Sequence, residues 1–375
     1  MDEPSPVGAG LFPSSDLVKL DSIIVISHES FSRKAVPRSF FVGSPTTFAV
    51  GRSGTLESWG LVQFPAFDNS LNQASALRAE LRLRTAYHLG DSLGLSLIVR
   101  KPTMSWNRTT FTYDSLKLPG FYVPTNSPEF DKDGDEIHIE LDTALVNEWF
   151  RTGTASTPFG ILLEPTNFTA LKGFHNSLAD SSDDRPELTV VYTPSASQTA
   201  DTIRSTGFVE KFVLGATDTS FLSSTTLMYA RAGAAFRGVA GFDIRGVPDR
   251  ASIHRAILEV TLDPSSSEFT SQVLDSLVAH YILSDGSFQE FSFSAAGWVL
   301  NPVQPSTALT ESGRRIYRFT VTEFVQAWVR GYGERRIGVA AMGETTSIDG
   351  FAVFGAAAAD SSLRPKLSIL YSPTH

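Results

Sequence analysis

Three aspartates at alternate positions, Asp131, Asp133 and Asp135, surround a glycine in the run Asp131-Lys132-Asp133-Gly134-Asp135-Glu136. Carboxylate oxygens gathered about such a turn are the ligands Ca²⁺ takes. The run departs from the calcium-loop pattern, because its sixth position is not Gly and Asp142 stands where a bidentate Glu would fall at the twelfth. A solvated acidic turn is the favoured reading, with Ca²⁺ as the one cofactor the sequence suggests and a weak ligand at most.

The second chemistry is sugar stacking on an aromatic face. In the strand-like run Trp59-Gly60-Leu61-Val62-Gln63-Phe64, alternation puts Trp59, Leu61 and Gln63 on one face and Gly60, Val62 and Phe64 on the other. The counterpart of Trp59 in a second, similar segment is Arg237, a residue type seldom buried. Trp59 and Arg237 are therefore the candidate ligand-binding residues. Trp106, Trp149 and Trp328 sit in motifs whose neighbours suggest packing, and all three are read as core.

Other chemistries find no pattern. The seven histidines are scattered, with no His-x-x-x-His pair, and there is no Gly-x-Ser-x-Gly elbow or phosphate-cradling glycine loop. With no cysteine, thiolate zinc sites, disulfides and cysteine nucleophiles are excluded together. No enzyme is expected. The net charge of −9 and the lack of any basic run argue against nucleic acid as a partner. No stretch approaches the roughly 20 apolar residues that span a bilayer.

The elements that must position these residues occur twice. Leu141-Asp142-Thr143-Ala144-Leu145-Val146-Asn147-Glu148-Trp149-Phe150-Arg151-Thr152-Gly153 is answered by Phe319-Thr320-Val321-Thr322-Glu323-Phe324-Val325-Gln326-Ala327-Trp328-Val329-Arg330-Gly331. In both, a strand-like run enters a short helical turn with Val and Trp on one face and Gly at its close. Phe159-Gly160-Ile161-Leu162-Leu163 and Ile337-Gly338-Val339-Ala340-Ala341 follow at nearly the same interval, and so do the runs Arg185-Pro186 to Tyr192 and Arg364-Pro365 to Tyr371. A constant interval over three elements indicates tandem copies of one domain. Residues 21–192 form the first copy, 193–200 a small polar linker and 201–375 the second, each expected to fold alone. Residues 1–20, rich in Pro, Gly and Ser, read as a flexible tether. Short β-rich runs separated by turn residues, with apolar alternation at Leu77, Ala79, Leu81 and Leu83, indicate an all-β fold of two β-sandwiches, jelly-roll-like in kind.

On these residues the chain resembles the DNRLRE-type domains, bacterial and archaeal surface β-sandwich modules related to the carbohydrate-binding part of disaggregatase. The first copy supplies Phe64, Ala79, Leu81 and Leu83, then Trp106-Asn107-Arg108-Thr109-Thr110-Phe111-Thr112, then Val146, Trp149 and Gly160, and finally Arg185 to Tyr192. The second keeps Phe242, Ala256, Leu258, Trp328, Gly338 and Arg364 to Tyr371, but its central loop offers only Ser294-Ala295-Ala296-Gly297-Trp298-Val299-Leu300. The resemblance implies a secreted or cell-surface protein that binds polysaccharide. The opening also looks like the segment after the lipid-bearing cysteine of surface lipoproteins, with Met1 in place of that cysteine, so the membrane would be met only through an N-terminal anchor. The leading expectation is a non-catalytic module binding polysaccharide or another extracellular ligand. The alternative is a structural or adhesive protein that meets a surface partner, assembles or acts as a spacer through its tandem β domains.

Overall fold

The computed structural model describes residues 20–34, 47–90, 94–132, 134–155, 159–167, 170–195, 197, 199–270, 275–290, 293–295, 298–301, 303–344 and 347–373. The tether read over residues 1–20 lies almost wholly outside them. The first copy gives β1 (Asp21–Ile26), β2 (Glu29–Lys34), β3 (Thr47–Ser53), β4 (Leu56–Gln63), β5 (Ser75–Gly90), β6 (Leu95–Pro102), β7 (Tyr122–Pro124), β8 (Phe130–Lys132), β9 (Glu136–Leu141), helix α1 (Thr143–Thr152), β10 (Ile161–Pro165), β11 (Ala170–His175) and β12 (Glu187–Thr193). The second gives β13 (Asp201–Ser205), β14 (Val209–Ala216), β15 (Leu227–Arg231), β16 (Phe236–Gly241), β17 (Ser252–Thr261), β18 (Ser276–Tyr281), β19 (Phe293–Ala295), β20 (Trp298–Leu300), β21 (Val303–Glu311), β22 (Arg314–Thr320), helix α2 (Thr322–Val329), β23 (Arg336–Ala341), β24 (Gly350–Phe354) and β25 (Lys366–Ser372). The fold is all-β, with two large antiparallel sheet systems arranged as sandwiches. In the first, the long β5 pairs β12 and β9 over its earlier half and β11 over its later half, so one strand passes between both layers.

Alternation forms these strands, since β9 buries every second residue and so do β12 and β25. It is broken early in β5, which also slips register against β11 between Thr85 and Tyr87. Between Val191 and Tyr192 the register slips, which turns Ala76 inward and leaves Leu77 56% exposed. The same bulge recurs in β17 between Ile253 and Arg255. The tryptophan turns behave as expected. Asp142 caps α1 by accepting from the Ala144 amide, Gly153 ends it at φ 49°, and Val146 and Trp149 are buried. Trp149 packs against Phe64 at 4.9 Å, and Trp328 is equally buried among second-copy residues.

Strand pairing divides the chain differently from the repeat. β1 lies antiparallel on β25 and β2 on β16, so the first copy's opening strands complete the second copy's sheets. Conversely β13 lies on β12 and β14 on β4. The registers match: Asp21 faces Tyr371 as Asp201 faces Tyr192, and Arg33 faces Arg237 as Val213 faces Trp59. β12 and β13, on either side of the expected linker, are accordingly paired antiparallel with each other, so no boundary between separate sheets falls there. Residues 47–216 form one sandwich, and residues 227–372 with 21–34 form the other. The first core also takes in Ala234, Phe236 and Ile348 of the second copy, so the two bodies share an apolar contact. The bounds 21–192 and 201–375 are corrected on these grounds, because each range lacks two strands that its sheets use.

Candidate functional site

Trp59 stands on the outer face of β4, as its alternation requires, but that face is roofed. Residues 103–122 cross over it and make a small second core in which Trp59, Leu61, Leu162 and Val213 meet Phe111, Leu116 and Phe121. Trp59 is 7% exposed and lies 5.6 Å from the Tyr122 ring. Its indole nitrogen is buried without a hydrogen-bond partner among the described residues. Trp106 helps hold the roof through a 2.9 Å bond from its indole nitrogen to the Phe159 carbonyl. Trp59 is thus a packing residue and offers no free face to a sugar.

Polar groups under the roof are spent on it as well. Glu57 accepts from Arg52 and from the Tyr113 hydroxyl. Burial, with that bond to Glu57, raises the Tyr113 phenol well above its ordinary range. Lys211, on the exchanged strand β14, donates to the Arg108 carbonyl, and burial, with Arg108 adding repulsion, lowers its ammonium to about 8.

Arg237 occupies the equivalent place on β16 and is also buried, at 4% exposed. An arginine can be buried when its fork is matched. Glu344 takes Nε at 2.9 Å and Nη2 at 2.6 Å, and Glu290 takes Nη1. Two guanidinium groups pack on the Phe288 ring, Arg33 at 4.3 Å and Arg237 at 4.8 Å from its centroid. Gly338 lies beneath that ring, where a Cβ would stand 2.4 Å from Phe288. His280 completes the cluster with Nδ1 3.8 Å from Glu290. Burial, reinforced by Arg237, lowers His280 to about 4, so it is neutral near pH 7. The reading of Arg237 as an exposed ligand contact is corrected: it is the centre of an internal ion network.

The acidic turn is described in part. Asp131 faces Ser96 across the β6–β8 ladder, but its side chain and the whole of Asp133 lie outside the described residues. Asp135 is exposed, and its carbonyl accepts from the Thr85 amide at 2.7 Å. The buried Lys172 ammonium lies 3.3 Å from the Gly134 carbonyl, which places a fixed cation beside one oxygen that a calcium loop would use. Among the described residues no three metal-ligating side chains converge.

One open cavity, of about 590 Å³, was not expected. It is lined by His28 and Glu29, by Phe242, Asp243 and Arg245, and by Glu334, Arg335 and Arg336. Three distant segments meet there only because β2 docks on β16, so no local pattern could announce it. Arg336 bonds Glu29 at 2.6 and 3.1 Å and Glu334 at 2.8 Å, and the Arg336 partnership holds Glu29 below its ordinary value. Arg245 bonds Asp243 and holds that carboxyl at about 2. The rim thus offers paired charges over an apolar floor, suited to hydrogen bonding with a polar ligand.

No family model matches the chain, and no curated protein matches it. Among solved structures, a "putative secreted protein" from Parabacteroides distasonis is 12% identical over 95% of this chain and 100% of that chain, with a TM-score of 0.19. The VP2 protein of infectious bursal disease virus is 11% identical over 93% of this chain and 74% of that chain, with a TM-score of 0.11. At these TM-scores neither likeness bears on what the chain does.

Proposed function

We propose that this is a non-catalytic extracellular or cell-surface protein with a structural role, a spacer or adhesive scaffold in which two repeats are closed on each other as one body. The observation that carries the reading is the reciprocal exchange of opening strands, which ties each sandwich to the other copy by two ladders. The residue types that would serve recognition support it too, since Trp59 and Arg237 are held in internal contacts. The resemblance to surface β-sandwich modules points the same way. Calorimetry of the whole chain tests it: one cooperative transition is expected, and two well-separated transitions would refute the single body.

A second reading rests on the open cavity at His28, Glu29, Asp243 and Arg245. There the protein would bind a polysaccharide through hydroxyl groups bonded to the paired charges. A glycan array distinguishes the readings. Saturable binding that Arg245→Ala abolishes, with melting unchanged, would favour the ligand-binding role over the purely structural one.

A further inference from the structure

The two exchanged strand pairs dock in one register but arrive by different routes. β13 and β14 follow β12 directly through residues 193–200, whereas β1 and β2 come from the far end of the chain and are joined to their own copy by residues 35–46. Identical docking from unlike connections means that recognition lies in the strand contacts and not in the tie. We propose that the edge formed by β25 and β16 is a docking site for residues 20–34 of a second copy of this chain, so that molecules associate by exchanging their opening strands. This goes beyond the structural reading and is tested separately from it.

The contacts are specific to this donor. Ser27 Oγ donates to the Gly241 carbonyl and Ser30 Oγ to the Thr225 carbonyl, while Ser32 Oγ accepts from the Tyr229 amide. All three serines are buried, so each hydroxyl requires its partner. Glu29 meets Arg336, Arg33 reaches over Phe288 toward Arg237, and Val25 enters the second core. β13 and β14 could not replace this donor, because Lys211 and Val213 stand where it has Phe31 and Arg33. The occupant that fits is therefore the same segment, from this molecule or another copy.

Exchange between copies makes no strand contact that the single chain lacks, which is the condition under which domain swapping is a low-cost route to association. At low concentration the tethered strands win, because the tether raises their effective concentration. When many chains fold together, the strands of neighbours compete. Reciprocal exchange closes a dimer, and one-way exchange leaves a free acceptor that continues the series.

The absence of cysteine makes the test direct. Ser22 faces Leu370 across the β1–β25 ladder, close enough for a disulfide, whereas Ile26 faces Lys366. Full-length Ser22→Cys and Leu370→Cys proteins, carrying tags of different size, are unfolded together and refolded under oxidation at low and high concentration. The disulfide-linked heterodimer should exceed several-fold that formed by the mismatched pair Ile26→Cys and Leu370→Cys, and should rise with concentration. The double variant Ser22→Cys/Leu370→Cys in one chain should close as a monomer at low concentration. Equal heterodimer yields from matched and mismatched pairs, with the double variant closing normally, would overturn exchange between copies. Failure of the double variant to close would overturn the docking register on which it rests.

Discussion

Cutting the chain at the repeat boundary should destroy what cutting by strand pairing preserves. A fragment of residues 1–198 keeps β3 to β12 but loses β13 and β14, and with them Phe208, Phe212, Val213 and Leu214, all buried. At about 1.5–3 kcal/mol for each fully buried side chain, that removes about 6–12 kcal/mol. A whole domain is stable by only about 5–15 kcal/mol. The fragment should therefore show no cooperative melt and little near-ultraviolet circular dichroism. A fragment of residues 47–216 retains every strand of the first sandwich and should melt cooperatively, at a lower temperature than the intact chain because its contact with Phe236 and Ile348 is gone. Fragments 1–198 and 199–375 refolded together should recover the intact signal, since strands cross in both directions. A sharp melt of 1–198 alone, near that of the whole protein, would refute the reasoning.

Further outcomes follow from single sites. Trp149→Ala and Trp328→Ala should each cost about 3–5 kcal/mol in denaturant unfolding, as large-to-small changes in closed cores do. Arg237→Met leaves the Glu344 carboxylate buried without its cation and should cost about 3–5 kcal/mol, much of which the double change Arg237→Met/Glu344→Leu should restore. His280 is lowered in the folded state to about 4 from about 6.5, so the unfolded chain takes up its proton first. Its contribution is fully present above pH 6.5 and is lost as pH falls toward 4. Unfolding measured across that window should show His280→Gln with a flatter profile than the parent. The melting temperature should be the same with Ca²⁺ and with chelator, and a rise that Asp135→Asn removes would instead assign a cation to the acidic turn.

Much of this architecture could be read from local pattern. The helical turns with Val and Trp on one buried face and the alternation in β9, β12 and β25 are properties of short windows, and the structure keeps them. Leu77 escaped that pattern because a bulge is set by the partner strand. The exchange escaped it for a related reason: β1 and β13 each alternate acceptably, and nothing in either says which of two similar edges it joins. For the candidate site, alternation placed Trp59 correctly on the outer face of β4 but could not foresee a roof supplied by residues 103–122. The burial of Arg237 depended on Glu290 and Glu344, both remote in sequence. The cavity at His28 and Arg245 is assembled from three segments and had no local signature.

The pairing of Asp21 with Tyr371 sets the first and last strands of the described residues side by side. The matching place in the other half, between Tyr192 and Asp201, is spanned by peptide. Between residues 21 and 372 the repeats are thus arranged as an exchanged pair in which one of two equivalent strand junctions is bridged by the chain itself. A circular permutant with a linker of the 193–200 kind between residues 372 and 21, opened within 193–200 instead, would keep every ladder described here. Placing the ends there would exchange the roles of the two repeats, so that β13 and β14 became the strands arriving from the chain's beginning.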